Sequence, residues 1–298
     1  MNNQLKEFQI YLKNSKKVIA LVGAGLSASS GLPVFRGSQG LWKNYNMIDL
    51  ATPDSFYIDP SLVWQFYSWR RYTSLKAQPN NGHRALINLV DEFKSKNRKV
   101  LIISQNVDGL FNRIRPKIDE IYDIHGNLFT LKCTSFLCNY IEKNNFKQPL
   151  TPALNETEHE FEHEHEIDES TTTTTKNSPK FHPVKSLDES QLPHCPICKS
   201  LLRPGVVWFG ESLPLDLITK IDNFIEDEDS IPDLVLVIGT SGTVYPANSY
   251  VERIKLKGGK VAIFNTDIDD KIVQGQVNDT WGFKGDAAEL LPIALDCF

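Results

Sequence analysis

Two cysteine pairs, Cys133 with Cys138 and Cys195 with Cys198, offer four thiolates, the donor set of a tetrahedral structural zinc. Four residues separate the members of the first pair and two those of the second, with 56 between the pairs. A zinc held this way would brace a small module that lacks a core of its own. Cys297 stands apart and reads as an incidental, buried residue. Five cysteines without a secretory signal point to a reducing compartment, and to metal or catalytic use ahead of disulfides. A second set suits acid–base chemistry. Gln105-Asn106-Val107-Asp108-Gly109 carries an amide and a carboxylate on a loop, and His125-Gly126 follows in IYDIHGNL. An imidazole titrates near neutrality and can act as a general base, although a lone histidine fits a structural role equally well. The third set is VIALVGAGLSASSGLPVFRG, residues 18–37. An apolar run stops at Gly23-Ala24-Gly25 and small, helix-capping residues follow. That pattern predicts a strand, a tight turn and a helix start offering backbone N–H groups to a pyrophosphate. Gly23 permits the turn, Gly25 lets the backbone approach phosphate, and Ala28 is placed to pack helix on strand. A helix cannot run on through Pro33, so Phe35-Arg36-Gly37 leaves as a loop bearing an aromatic and a cation.

Those groups need a scaffold. Four apolar runs, 18–22, 100–104, 234–238 and 261–264, have the pattern of parallel strands buried on both faces. Each ends in a loop-forming group: Gly23 to Gly25, Gln105 to Asp108, Gly239-Thr240-Ser241, and Asn265-Thr266-Asp267. In an open α/β sheet such loops gather beyond the carboxyl ends of the strands, where ligands bind. Helices are predicted over 61–75, 82–94 and 215–225, and an amphipathic one over MNNQLKEFQIYLKNSKK, which matches a transit peptide poorly. The fold class is therefore α/β, a Rossmann-like doubly wound parallel sheet over 1–130 and 203–298, with a small inserted zinc-binding module over 131–202. Inside the module, 155–190 alternates Glu with His and then runs from Thr171 to Thr175; it is too poor in apolar residues to order itself. His159, His163 and His165 read there as part of a solvated loop.

The 298 residues are 41% hydrophobic and include no apolar run long enough to cross a membrane. A net charge of −5 argues against nucleic acid as the main partner. Residues 155–169 hold eight acids and no Lys or Arg, so the chain's 37 acids and 32 bases leave 29 against 32 elsewhere. The remaining body is mildly basic, which suits an acidic small molecule. A dehydrogenase on the same sheet needs an acid closing a second strand about twenty residues past the glycines. Asp49 has that distance, but KNYNMIDLA is no buried strand.

Taken in order, GAGLSASSGLPVFRG, QNVDG, IHG, the paired cysteines, GVVWFGE, GTS and FNTD resemble the sirtuins, the NAD-dependent protein deacylases, over nearly the whole chain apart from 155–190. The resemblance implies roles. Gly23, Ala24, Gly25, Ala28, Phe35 and Arg36 would surround the pyrophosphate and nicotinamide ribose of NAD, and Gln105 would touch the ribose. Asn106 and Asp108 would hold the nicotinamide carboxamide, and His125 would be general base on a ribose hydroxyl. Gly239, Thr240, Ser241, Asn265, Thr266 and Asp267 would bind the adenosine half. Val206, Val207, Trp208 and Phe209 would offer an extended edge to which a substrate peptide adds as a strand. NAD is then consumed as a co-substrate: the acyl oxygen of a modified lysine displaces nicotinamide, and the acyl group migrates to the ribose, giving free lysine and O-acyl-ADP-ribose. The loop from Pro33 through Tyr45 would exclude water. Deacetylation of broad acyl range and mono-ADP-ribosyl transfer would use the same pocket.

In PSLVWQFYSWRRYT, Tyr67 and Arg70 are three apart and share a helical face. Arginine grips a carboxylate bidentately and a phenol adds a second hydrogen bond. Tyr-x-x-Arg at this place, with DLATPDSF and LLRPGVVWFGE, resembles the desuccinylase and demalonylase subgroup, which implies removal of malonyl, succinyl or glutaryl groups. That subgroup has a small residue before DLATP where this chain has Met47, and Arg71 stands beside Arg70 as the alternative inward cation. The expected partners are acylated-lysine proteins, with no nucleic acid and no membrane, acted on by a monomer with one structural zinc. Resemblance to the subgroup suggests mitochondria, with cytosol and nucleus as alternatives.

Overall fold

The computed structural model describes residues 2–34, 40–155, 184–227, 230–240 and 247–298. Numbered along the chain, its strands are β1 (Lys17–Val22), β2 (Leu41–Trp42), β3 (Tyr45–Asn46), β4 (Lys99–Ser104), β5 (Ile121–Asp123), β6 (Gly126–Cys133), β7 (Ile141–Glu142), β8 (Leu202–Val206), β9 (Leu234–Ile238), β10 (Lys260–Asn265) and β11 (Thr280–Lys284). Six of them form one parallel sheet in the order β11-β10-β9-β1-β4-β5. Four are the expected apolar runs. β5 has three residues and β11 carries a glycine, Gly282, so neither shows the long apolar run that marks the others.

Side chains alternate across this sheet and both faces are buried. On one face Val18, Ala20, Val22, Ile102, Leu236 and Phe264 pack with Phe8, Leu12, Leu86, Val90 and Leu291. These partners belong to the helices Asn2–Asn14, Asn81–Ser95 and Ala287–Leu295. On the other face Ile19, Leu21, Leu101, Ile103, Val235 and Val237 pack with Ile221, Ile225, Tyr250 and Ile254. Those lie on Leu215–Glu226 and Ala247–Leu256. Helices on both faces make the sheet doubly wound, and each buried aliphatic contributes about 1.5–3 kcal/mol. Among the described residues no helix is long and apolar enough to cross a membrane.

The chain divides into two compact units. The first comprises Met1–Val34, Ala77–His125 and Ser212–Phe298, and holds the parallel sheet. The second comprises Phe35–Lys76 and Gly126–Glu211, and holds an antiparallel sheet in the order β7-β6-β8 with the small hairpin β2–β3. This differs from a module limited to 131–202, because the helix Pro60–Lys76 belongs with it. Trp64 Nε1 donates to Leu202 O at 2.9 Å and Arg71 Nη1 to Leu128 O at 2.6 Å. That helix buries Val63, Trp64, Phe66, Tyr67, Ser68, Trp69 and Arg71, residues on every side, so no single apolar stripe marks its partner. Of the low-complexity stretch 155–190, residues 156–183, which include His159, His163, His165 and the threonine run, lie outside the described residues.

Candidate active site

The carboxyl ends of four strands lie in register: Val22 is opposite Ser104 and Ile238, and Ile238 opposite Phe264. The loops that begin at Gly23, Gln105, Gly239 and Asn265 therefore stand side by side. A Cβ on Gly23 would come within 2.7 Å of Gly239 O, and one on Gly25 within 2.7 Å of Gly239 Cα. Gly239 itself has φ +56°. The three glycines are required where two strand ends press together, and Gly25 N–H donates to Gly239 O at 2.8 Å. Two expectations for this turn are corrected. The helix Gly25–Ala28 is one turn long and Ala28 is exposed, so the packing falls to Leu26 and Ser27. The N–H groups of Gly25, Leu26 and Ser27 are bonded to the carbonyls of Gly239, Gly23 and Ala24. Among the described residues, Ala24 N–H is the donor this turn leaves for an anion. Phe35, Arg36 and Ser241 lie outside the described residues. Asn265 Nδ2 donates to Thr240 O at 2.9 Å and its Oδ1 accepts from Thr266 N–H at 2.9 Å, tying two loops together. Thr240 is buried, whereas Thr266 and Asp267 are exposed.

Asn106 and Asp108 meet through a residue that the sequence reading missed. Ser27 Oγ donates to Asp108 Oδ2 at 2.7 Å and accepts from Asn106 Nδ2 at 3.2 Å. Asn106 Nδ2 also donates to Gly23 O at 3.0 Å, and Asp108 Oδ1 accepts from Leu110 N–H at 2.9 Å. This leaves the Asn106 amide oxygen with no donor among the described residues, and a buried carboxylate beside it: acceptors for the NH₂ of a carboxamide. The available signal was Ser27 itself, four residues after Gly23 in GAGLS. His83 was also missed. It is wholly buried, its Nδ1 accepts from Asn80 N–H at 3.3 Å, and burial pushes its pKa down to about 4 against the pull of Asp108. Asn80-x-x-His83, a capping box at the start of Asn81–Ser95, was the trace it left in the sequence.

His125 Nδ1 lies 2.9 Å from the Gln105 carbonyl oxygen. A carbonyl only accepts, so Nδ1 carries the proton and Nε2 keeps its lone pair. Burial lowers the pKa of His125 below the ordinary 6.5, the Gln105 bond opposing, and the ring is neutral at pH 7. Gln105 thus acts here through its backbone. Gly126 follows with φ +77°, where a Cβ would sit 2.2 Å from Gly205 O.

In the second unit Tyr67 is buried, its hydroxyl accepts from Trp208 Nε1 at 2.9 Å, and desolvation raises its pKa to about 12. Arg70, one turn on, lies half-buried with Cζ 5.8 Å from the centre of the Phe66 ring, and its charge is felt at the Tyr67 hydroxyl. Arg71 is wholly buried and points elsewhere. Its Nη1 donates to Leu128 O at 2.6 Å, its Nη2 to Asn145 O at 2.8 Å and Lys147 O at 2.9 Å. Met47 is buried at the start of the turn Met47–Leu50. The proposed peptide edge is shorter than 206–209. β8 is an edge strand but stops at Val206, while Trp208 N–H donates to Glu211 Oε2 at 2.8 Å and Phe209 N–H to Ala51 O at 2.9 Å. The N–H groups of Trp208 and Phe209 are thus already bonded, as is the Val206 carbonyl, which accepts from Arg203 Nη2 at 3.1 Å.

The four cysteines converge. The Sγ atoms of Cys133, Cys138, Cys195 and Cys198 all lie within 4.8 Å of one another, with Cys133–Cys198 at 3.4 Å and Cys138–Cys195 at 3.7 Å, and none forms a disulfide. Zn–S bonds of about 2.3 Å put tetrahedral sulfurs about 3.8 Å apart, so the donor set fits a zinc ion. Each pair sits in a tight turn: Cys133 N–H donates to Tyr140 O at 3.0 Å and Cys195 N–H to Ser200 O at 2.8 Å. Cys297 is partly buried against the first unit's core.

Comparison with known proteins gives a consistent result. Residues 23–246 match the Sir2 family. An NAD-dependent protein deacylase of Candida albicans is 66% identical over 302 residues, spanning 99% of this chain and 98% of that protein. The mitochondrial NAD-dependent protein deacylase sirtuin-5 of Danio rerio is 35% identical, over 99% of this chain and 87% of that one. A crystal structure of a Sir2 homolog–NAD complex superposes with a TM-score of 0.70 at 32% identity, covering 97% of this chain and 92% of the other.

Proposed function

The chain belongs to the Sir2 family and is an NAD-dependent protein deacylase, and from that premise we propose that it removes malonyl, succinyl or glutaryl groups from lysine side chains. The observation that carries the acyl choice is the helix Pro60–Lys76. Tyr67 and Arg70 sit one turn apart there, with Arg71 committed to three backbone carbonyls of its own unit. Arg70 would supply the charge for the acyl carboxylate and Tyr67 a hydroxyl proton.

When bound, NAD supplies an anomeric carbon with nicotinamide as its leaving group and a ribose that accepts the acyl group. Asn106 and Asp108 would hold the carboxamide, their geometry fixed by Ser27. His125 Nε2 would take the proton from a ribose hydroxyl, with Nδ1–H held on Gln105 O so that the correct nitrogen is basic. Ala24 N–H and the loops at Gly239 and Asn265 would bind the phosphate and adenosine parts. Cys133, Cys138, Cys195 and Cys198 would hold one zinc with a bracing role, since four protein ligands close the coordination shell. The substrate is an acylated protein segment adding at the edge of β8. Sirtuin-5 of Danio rerio is named as mitochondrial, and we place this chain there by likeness, a location to be read by organelle fractionation.

The test compares succinyl-, malonyl- and acetyl-lysine peptides with NAD. Arg70→Met lowers kcat/KM for the succinyl peptide about 100-fold relative to the acetyl peptide, as expected for loss of a charged hydrogen-bonded pair. An unchanged ratio sinks the acyl assignment. Buried Met47 favours one competing outcome, a narrower pocket that turns over acetyl-lysine fastest.

A further inference from the structure

The Tyr67 hydroxyl is polarised by its surroundings. An indole N–H donates and never accepts, so at the 2.9 Å contact with Trp208 Nε1 the phenolic oxygen is the acceptor. The hydroxyl proton must therefore point away from Trp208. Among the described residues no acceptor takes it, although Tyr67 is only 1% exposed. A buried donor left in this state is costly until an acceptor reaches it. Desolvation keeps the phenol protonated at any working pH.

Trp208 is held by polar contacts as well as by packing. Its ring is buried and lies 5.2 Å from that of Phe56. The Arg203 guanidinium sits 3.5 Å over its face. Both oxygens of Glu211 grip Arg203, at 2.6 and 2.8 Å, and Glu211 Oε2 also accepts the Trp208 backbone N–H. A cation stacked on the indole draws electron density from the ring and strengthens its N–H as a donor. The chain of contacts runs from Glu211 through Arg203 and Trp208 to the one oxygen of Tyr67.

We infer that Trp208 is a positioning residue for acyl-group selection: its indole N–H fixes the Tyr67 hydroxyl as a one-way donor toward the carboxylate of a dicarboxylic acyl chain. An acetyl group carries no such oxygen and gains nothing from the arrangement. The inference rests on Tyr67 reading the acyl carboxylate, as proposed above, and goes beyond it by assigning the group that orients it.

Trp208→Phe keeps an aromatic ring and removes the N–H. The ratio of kcat/KM for succinyl- over acetyl-lysine peptide falls about ten-fold in this variant, mainly through KM for the succinyl peptide, because the contact is made equally in ground and transition states. In a Tyr67→Phe background the same substitution produces no further fall in the ratio. Trp208→His, which keeps a ring N–H, retains more of the preference than Trp208→Phe. Equal losses with both peptides, or a further fall in the Tyr67→Phe background, overturn the inference and leave Trp208 a packing residue. If Tyr67→Phe alone leaves the ratio unchanged, the reading of Tyr67 fails first and the inference with it.

Discussion

His125 and His83 belong to the same unit, and burial acts on both in the same direction with different consequences. His83 is enclosed, its Nε2 has no partner among the described residues, and its pKa drops to about 4. It is a neutral capping residue at every physiological pH. His125 is lowered from 6.5 more gently, because its bond to Gln105 O favours the protonated ring. A general base works only when unprotonated, so a pKa lowered from 6.5 leaves the working, neutral form dominant at pH 7. The kcat/KM profile is therefore flat around pH 7 and falls as pH drops through a value below 6.5. His125→Asn removes that acid limb and lowers deacylation by about 10²–10⁴-fold. A limb centred above 6.5 would contradict the assignment of His125 as a buried base.

At the scale of elements, strand ends fix the site, and their closeness has a cost that glycine alone meets. Gly25→Ala puts a methyl 2.7 Å from Gly239 Cα, a backbone atom that cannot swing aside. The variant loses about 1–3 kcal/mol of stability, read as a lower midpoint in denaturant, and activity falls with it as the loops part. Much of this level was legible beforehand. The runs 18–22, 100–104, 234–238 and 261–264 announce themselves because a strand covered on both faces is apolar at every position. Ala28 was misread because the glycine fingerprint presumes a long helix, and here the helix is a single turn. Arg71 and Trp208 were beyond pattern reasoning for a different cause. Arg71 bonds carbonyls 57 and 74 positions away, and Trp208 meets a tyrosine 141 positions away. For Arg71 the partners are carbonyls, present at every residue, so no side-chain type marks them; for Trp208 it is the distance along the chain that hides the tyrosine.

For the whole molecule, the division of stabilising forces between the two units is what metal removal would expose. The first unit has a sheet buried on both faces and none of the four clustered cysteines. The second has a three-stranded sheet with short edge strands, and its tips are gathered at Cys133, Cys138, Cys195 and Cys198. The spacing of those cysteines was readable in the sequence; the enlistment of helix Pro60–Lys76 was not, because its buried residues surround it. Binding free energy for a structural zinc is folding free energy for the module that supplies the ligands. Four of the five tryptophans, Trp42, Trp64, Trp69 and Trp208, belong to the second unit, and only Trp281 to the first. Tryptophan emission thus reports chiefly on the zinc-bearing unit, while far-ultraviolet dichroism reports chiefly on the helices around the parallel sheet. The four clustered thiolates predict one zinc per chain of purified protein, to be read by metal analysis. Stripping it with a strong chelator shifts the emission to the red and abolishes deacylation, while most of the helical signal persists, two transitions where a single cooperative domain would show one. Simultaneous loss of both signals would show that zinc holds the entire chain, and loss of neither would deny it any role in holding the second unit. The sign of the difference follows from where each unit keeps its apolar surface.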